Sequence, residues 1–366
     1  MNSEKASLLN FGQSLLSRVP KPFLQKSVFG FELLRTATFL GQNLLLTALV
    51  QKNKAVDPHF KTNLKMILKD LSQLLKKDSE NIANGIYPLQ VLTTESARHF
   101  FKRYPQILFD SWSVTKRRLE HVSKDFDMEA REYLRDVPDY FQRNFHYQTD
   151  GYLTEKSAEL YEHQVEILFS GAADAMRRLI LPPLKAQFPY TEGEGLHFLE
   201  VAGGTGRLTK FVKMTFPKAK ITLMDLSHPY LKKAQDNLNG FTKINFVQGD
   251  SAALPFLDQQ FDAVLSCFLF HELPLSERQK TLTESLRVLK PGGFLGLVDS
   301  VQQEDKQDFE FALKQFPVDF HEPFYKNYIQ NPMEGLLRHA QFEQIQTQLG
   351  FFSKAVWALK PEQKPS

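Results

Sequence analysis

The chain has 366 residues, of which 42% are hydrophobic and 24% charged, and its formal net charge is +3. That length favours two domains over one, and the composition is globular, without low-complexity tracts or internal repeats. The single cysteine, Cys267, rules out an intrachain disulfide and any cysteine-rich metal site, so the expectation is a cytoplasmic protein with no bound metal.

Charge is spread unevenly. Residues 1–150 carry 22 Lys and Arg against 16 Asp and Glu, whereas residues 151–366 carry 23 against 26. The basic excess is mild. Solvated helix faces explain it better than a nucleic-acid site, and it leaves open a contact between the N-terminal helices and an anionic membrane surface. Met1–Asn10 places Glu4 and Lys5 ahead of no long apolar run, so no secretory signal is expected there. Ser27–Val50 is interrupted by Glu32, Arg35, Gln42 and Asn43, which predicts a core or partner-binding helix rather than a membrane span.

Residues 1–145 read as a helical N-terminal domain. After Asp57-Pro58, the apolar residues Leu64, Ile67, Leu68, Leu71, Leu74 and Leu75 recur at helical spacing, and Gly85-Ile86-Tyr87-Pro88 is a break. Ile107, Leu108, Phe109, Trp112, Leu119, Val122 and Phe126 predict a further long helix ending near Asp127. The segment Pro138–Tyr152 is dense in aromatic and hydrogen-bonding side chains and has no helical stripe. It reads as a linker packed against another surface. Thr154–Leu181 predicts two helical pieces broken at Gly171 and stopped by Pro182-Pro183, so that residues 146–194 form a linker with lid helices.

From Gly195 onward, strands alternate with helices. Strands are expected at Leu196–Val201, Ile221–Asp225, Ile244–Gln248, Phe261–Cys267 and Gly293–Asp299, with helices at Arg207–Phe216, Pro229–Asn239 and Ser276–Leu289. This alternation predicts an α/β domain over 195–366 with a mostly parallel sheet covered on both faces. Helix Met333–Ala340 and an antiparallel pair, Gln344–Leu349 and Lys354–Leu359, close the chain.

The run Glu200-Val201-Ala202-Gly203-Gly204-Thr205-Gly206 is a buried strand entering a glycine turn, with a helix after it. Such turns let a backbone approach a nucleotide closely. The third glycine of a dinucleotide turn is missing, and Glu200 would repel a pyrophosphate. An acid there suits a ligand with a free ammonium group, such as the methionine part of S-adenosylmethionine (SAM). Asp225, about 20 residues further on, is placed to accept both ribose hydroxyls; the plain alternative is a helix N-cap. Asp250, in Gly249-Asp250-Ser251, can reach an adenine amino group or be a turn residue. Cys267 and Phe268 end the fourth strand at the ligand crevice, where Phe268 or Phe270 can cover the adenine or pack in the core.

These motifs, followed by Phe261-Asp262-Ala263-Val264 and Leu289-Lys290-Pro291-Gly292-Gly293, resemble a class I SAM-dependent methyltransferase over roughly residues 150–360. Within that superfamily the chain is most similar to small-molecule enzymes related to the ubiquinone/menaquinone C-methyltransferases. The resemblance implies a Rossmann-like, seven-stranded sheet with one antiparallel strand near the C-terminus, SAM as cofactor, and a small, apolar or aromatic methyl acceptor. It implies cofactor contacts from Glu200, Ala202, Gly203, Gly204, Gly206, Asp225, Leu226, Asp250, Ser251, Cys267 and Phe268. Tyr147 and Tyr152 would be lid contacts. The family usually has Gly where this chain has Ala202, a replacement that is benign if φ there is negative.

A general base is needed only where the acceptor holds a proton. The candidates facing the pocket are the pairs His271-Glu272 and His321-Glu322, with His146 behind them; for any one histidine the plain alternative is a structural role. The fourth strand is not followed by the tetrad that amino-methylating nucleic-acid enzymes carry, and Cys267 has no preceding proline, so nucleic acid is not the expected substrate. The remaining alternatives are a catalytically silent SAM-binding protein of the same fold, or an enzyme recruited to RNA or a membrane by its basic helices. A homodimer built on the helical domain is also compatible.

Overall fold

The computed structural model describes residues 19–50, 60–93 and 97–362; the readings at Met1–Asn10 and Asp57-Pro58 lie outside them. The described residues open with three long helices, α1 (Lys21–Val50), α2 (Phe60–Ala83) and α3 (Ala97–Glu120). No helix among the described residues is long and apolar enough to cross a membrane. Helix α1 buries Val28 and Phe39 on one side and exposes Phe23, Leu34 and Leu44 on the other. Helix α2 buries Leu71, Leu74 and Leu75, its expected stripe. Their core is continuous with the sheet, because these leucines pack in one cluster with Phe198, Ile221, Leu265 and Phe294.

Helix α3 departs from expectation. It ends at Glu120 rather than near Asp127, because His121 turns into the left-handed region with φ 51°. Phe109, Trp112 and Leu119 lie on its exposed face, while the core-facing side carries Ile107 with Arg103, Asp110 and Arg117. These polar groups bond to the next segments: Arg117 donates to the Tyr147 carbonyl at 2.9 Å, and Gln164 donates to Asp110 at 2.8 Å.

The short helix α4 (Met128–Tyr133) follows, capped by Asp127. Helix α5 (Glu155–Leu168) is capped by Thr154 and ends where Gly171 takes φ 82°. Helices α6 (Ala173–Arg177) and α7 (Leu181–Gln187) lead to the sheet. Pro182 and Pro183 open α7 instead of stopping a helix: first-turn positions need no intrahelical N–H, so proline is tolerated there. The fully buried Arg178, between α6 and α7, donates to both oxygens of Asp78 at 2.9 and 2.7 Å and so fastens α2 to the sheet region.

The sheet has the order β3-β2-β1-β4-β5-β7-β6. Strands β1 (His197–Val201), β2 (Lys220–Asp225), β3 (Ile244–Gln248), β4 (Phe261–Cys267) and β5 (Leu289–Ser300) run parallel. Strand β7 (Ser353–Leu359) is antiparallel to β5 and to β6 (Glu343–Gly350). Helices α8 (Arg207–Thr215), α9 (His228–Leu238) and α10 (Leu275–Val288) connect the parallel strands, and α11 (Glu310–Asp319), α12 (Tyr325–Gln330) and α13 (Met333–His339) follow β5. Strand β5 starts earlier than expected, because Leu289 already pairs with Phe261 across an irregularity in register. The strand order reverses between β1 and β4. In open α/β sheets, ligands bind in the crevice at such a point.

Candidate functional site

The crevice opens at the C-terminal ends of β1, β2 and β4. Its cavity holds about 720 Å³ of atom-free space and is lined by Ala202, Gly204, Asp225, Leu226, Gly249, Asp250, Ser251, Cys267 and Phe268 on the sheet side. Tyr140, Phe141, Phe145, Tyr152, Tyr161 and Tyr230 line it from the other side, and Leu269, Glu272 and Leu273 complete the wall.

The glycine turn is shaped by contact. A Cβ on Gly203 would meet the Leu223 side chain at 2.5 Å, and one on Gly206 (φ 80°) would meet Leu238 at 2.6 Å. These two glycines serve packing and do not line the cavity. Gly204 (φ 53°) does line it, and nothing lies closer than 3.9 Å to where its Cβ would be. Ala202 has φ 53°, so the condition of a negative φ is not met: this alanine holds a left-handed conformation that costs about 1–2 kcal/mol without glycine.

Asp225 sits at the end of β2. Its two carboxylate oxygens accept the N–H groups of Gly204 and Ser227 at 2.7 and 2.8 Å, and burial pushes its carboxyl up to about 6. The helix cap that follows is Ser227, which accepts from the Tyr230 N–H; Asp225 is therefore not the cap. Asp250 accepts the Ala252 N–H at 2.9 Å.

Glu200 does not line the cavity. Its side chain turns into the interior, accepts the Thr209 hydroxyl of α8, and burial pushes it up to about 8. A short strand-end acid beside a helix finds the nearest hydroxyl first, which is why it is drawn away from the crevice. Tyr147 is also outside the cavity, with its ring 5.6 Å from that of His321. Tyr152 lines it: its ring stacks on Phe145 at 5.4 Å and meets Tyr230 edge-on at 5.4 Å.

His146, His271, His321 and Glu322 do not line the cavity themselves; the histidines divide by the partners they meet. His271 Nδ1 is 2.6 Å from Asp299 Oδ1, and its Nε2 lies 3.9 Å from Glu272 Oε1. His146, from the aromatic segment, places Nε2 3.4 Å from the same Glu272 oxygen and Nδ1 3.1 Å from Glu322 Oε1. Burial opposes charge on both imidazoles, but the neighbouring carboxylates outweigh it and raise both. Burial pushes Glu322 up to about 8. His321 points elsewhere, and burial lowers it to about 4. The structure therefore joins His271 and Glu322 through His146 and Glu272, and leaves His321 out of that group.

Sequence reasoning singled out Glu272 beside His271, missed Tyr161 and Tyr230 as wall residues, and ranked His146 below the other histidines. The aromatic density of Pro138–Tyr152 carried the signal for Tyr140, Phe141 and Phe145. Nothing in local spacing links His146 to Glu272.

The Methyltransferase domain family matches residues 198–293. The chain is 30% identical over 213 residues to a fatty-acid O-methyltransferase of Mycolicibacterium smegmatis, covering 57% of this chain and 70% of that protein. It is 33% identical over 129 residues to the ubiquinone/menaquinone biosynthesis C-methyltransferase UbiE of Shewanella sediminis, covering 34% of this chain and 51% of that protein. The chain thus spans about half the length of that relative. Human N-acetylserotonin methyltransferase, solved with SAM, overlays with a TM-score of 0.48 at 17% identity, covering 73% of this chain and 71% of that one; the fold assignment rests on the strand order above. With this sheet, this glycine turn and these relatives, the chain belongs to the class I SAM-dependent methyltransferases related to UbiE, and SAM is its cofactor.

Proposed function

We propose that the protein methylates an oxygen of a small, apolar or aromatic molecule that carries a hydroxyl group. The observation that supports this reading is that Glu272, on the cavity wall, has His146 Nε2 at 3.4 Å and His271 Nε2 at 3.9 Å behind it. A proton acceptor is needed only where the nucleophile holds a proton at neutral pH.

The residues present fit the cofactor. Gly204 offers bare backbone, Asp225 keeps lone pairs free for ribose hydroxyls after its two backbone bonds, and Asp250 with Leu226 and Ser251 would enclose the adenine. Bound SAM supplies an already activated methyl group. The rings of Phe145, Tyr152, Tyr161 and Tyr230 lie within 5.9 Å of one another in successive pairs, and such faces favour a cation. They also exclude water and give an apolar acceptor its surface. The Tyr152 hydroxyl donates to Glu272 at 2.5 Å and fixes that carboxylate against the wall. The cluster would then take the hydroxyl proton while the acceptor is held for in-line transfer.

The test is incubation with methyl-labelled SAM and a panel of apolar alcohols, phenols and carboxylic acids, read by mass spectrometry. The reading expects labelled methyl ethers. Label on carbon alone, or none despite bound SAM, would reject it; the second result would favour a silent SAM-binding protein.

A further inference from the structure

We propose that His146, His271 and Glu272 hold a divalent zinc ion at the edge of the methyl-transfer cavity. Each of the three offers a ligand atom within 4.8 Å of the other two, and Glu272 Oε1 lies 3.4 Å from His146 Nε2 and 3.9 Å from His271 Nε2. Zinc with four ligands at about 2.0–2.1 Å places them about 3.3–3.4 Å apart; His146 Nε2 is already at that distance from Glu272 Oε1, and His271 Nε2 would close by about 0.5 Å.

The surroundings of the imidazoles point the same way. Each ring turns its Nδ1 to a buried carboxylate: His271 to Asp299 at 2.6 Å and His146 to Glu322 at 3.1 Å. A ring nitrogen held by a carboxylate, as His271 Nδ1 is by Asp299, leaves the other nitrogen with its lone pair free. That is how metal-binding histidines are oriented and made more basic. The His146 Nδ1 faces Glu322 without an aligned hydrogen bond. Both Nε2 atoms face the Glu272 oxygen. The Glu322 side chain is fully buried, and neither of its oxygens has an aligned hydrogen-bond donor. His146 also holds φ 54°, a conformation disfavoured for a β-carbon residue and retained where a site needs it.

Two histidines and one carboxylate with a fourth position open is a ligand set of hydrolytic zinc enzymes. Glu272 belongs to both the cluster and the cavity wall, so the fourth ligand would be the acceptor's hydroxyl oxygen. With zinc bound, the three side chains would serve as ligands instead of as the proton acceptor, and the metal would make that hydroxyl acidic enough to lose its proton to solvent at neutral pH, as zinc-bound water does. This inference rests on the proposed acceptor class for its role, but not for the existence of the site.

The test strips the full-length protein with a chelator, dialyses it, and titrates zinc chloride by calorimetry, with cobalt(II) loading in parallel. The expected result is one zinc per chain and the intense visible absorption of four-coordinate cobalt. His146→Ala and Glu272→Gln should each lose at least about 100-fold in affinity, and Glu322→Gln about 10–100-fold, with circular dichroism unchanged. No zinc uptake, or wild-type uptake by folded His146→Ala, overturns the site. Methyl transfer measured on the same samples separates the two readings. Transfer unaffected by the chelator in protein that takes up no zinc sinks the metal and spares the methylation. Zinc uptake without transfer to any hydroxylated acceptor does the reverse.

Discussion

Tyr152 donates a 2.5 Å hydrogen bond to Glu272 Oε1, joining the aromatic segment ahead of the sheet to the loop after β4. The bond crosses the cavity wall, and its donor is also part of the ring cage. Tyr152→Phe keeps the ring and removes the bond. It should lower turnover about 10-fold, in line with loss of one bond to a charged partner, while SAM affinity stays within about 3-fold. Equal losses in both would show that the hydroxyl supports the cofactor and not the acceptor side.

Asp225 faces the cavity with a carboxyl raised to about 6 by burial. Only the ionised form accepts both ribose hydroxyls. SAM affinity should therefore be full above about pH 6 and fall about tenfold per unit below it. Asp225→Ala should weaken SAM about 10–100-fold, the equivalent of a charged hydrogen bond. A flat calorimetric profile between pH 5 and 8, with wild-type affinity in the variant, would remove this role.

Glu200 titrates in the interior, raised by burial from 4.5 to about 8. Between those values the folded protein holds a proton that the unfolded chain has released. The group's contribution to stability is complete below 4.5 and is lost as pH rises towards 8. Urea unfolding across this window should show Glu200→Gln falling less steeply with pH than wild type. Parallel curves would mean that Glu200 is ionised in the folded state.

Arg178 is fully buried and held by Asp78, with Glu32 at 3.4 Å. Asp78→Ala leaves the guanidinium poorly compensated and should cost about 3–5 kcal/mol in urea unfolding. A cost below about 1 kcal/mol would show that Glu32 takes over the pairing.

His321 shares a tripeptide with Glu322 but not a site. His321→Ala should leave turnover within about 3-fold of wild type, whereas His271→Ala should lower it by at least the 10²-fold that proton transfer contributes. Similar losses from both would return His321 to the site.

The parallel strands were legible because short apolar runs bounded by turns leave little choice of structure; β3 and β4 match their expected limits residue for residue. Asp225, Asp250 and Phe268 were placed at the crevice for the same reason: each directly follows or ends a strand. What escaped the sequence is tertiary. Phe109 and Trp112 look like core residues of an amphipathic helix, but the buried side of α3 is filled by Arg103, Asp110 and Arg117, whose partners come from later segments. The sign of φ at Ala202 depends on how the turn closes over Leu223 and Met224, whose carbonyl receives the Gly203 N–H at 2.9 Å. His146 meets Glu272 only because α3 holds the segment before Tyr152 against the loop after β4.

The most direct test of the account is a crystal structure with the SAM product, S-adenosylhomocysteine, bound. The prediction is a ribose on Asp225, an adenine beside Asp250 and Phe268, and the sulfur facing the Tyr152 ring and the Glu272 wall. Product bound away from the β1–β4 crevice, or a sulfur turned from Glu272, would contradict it.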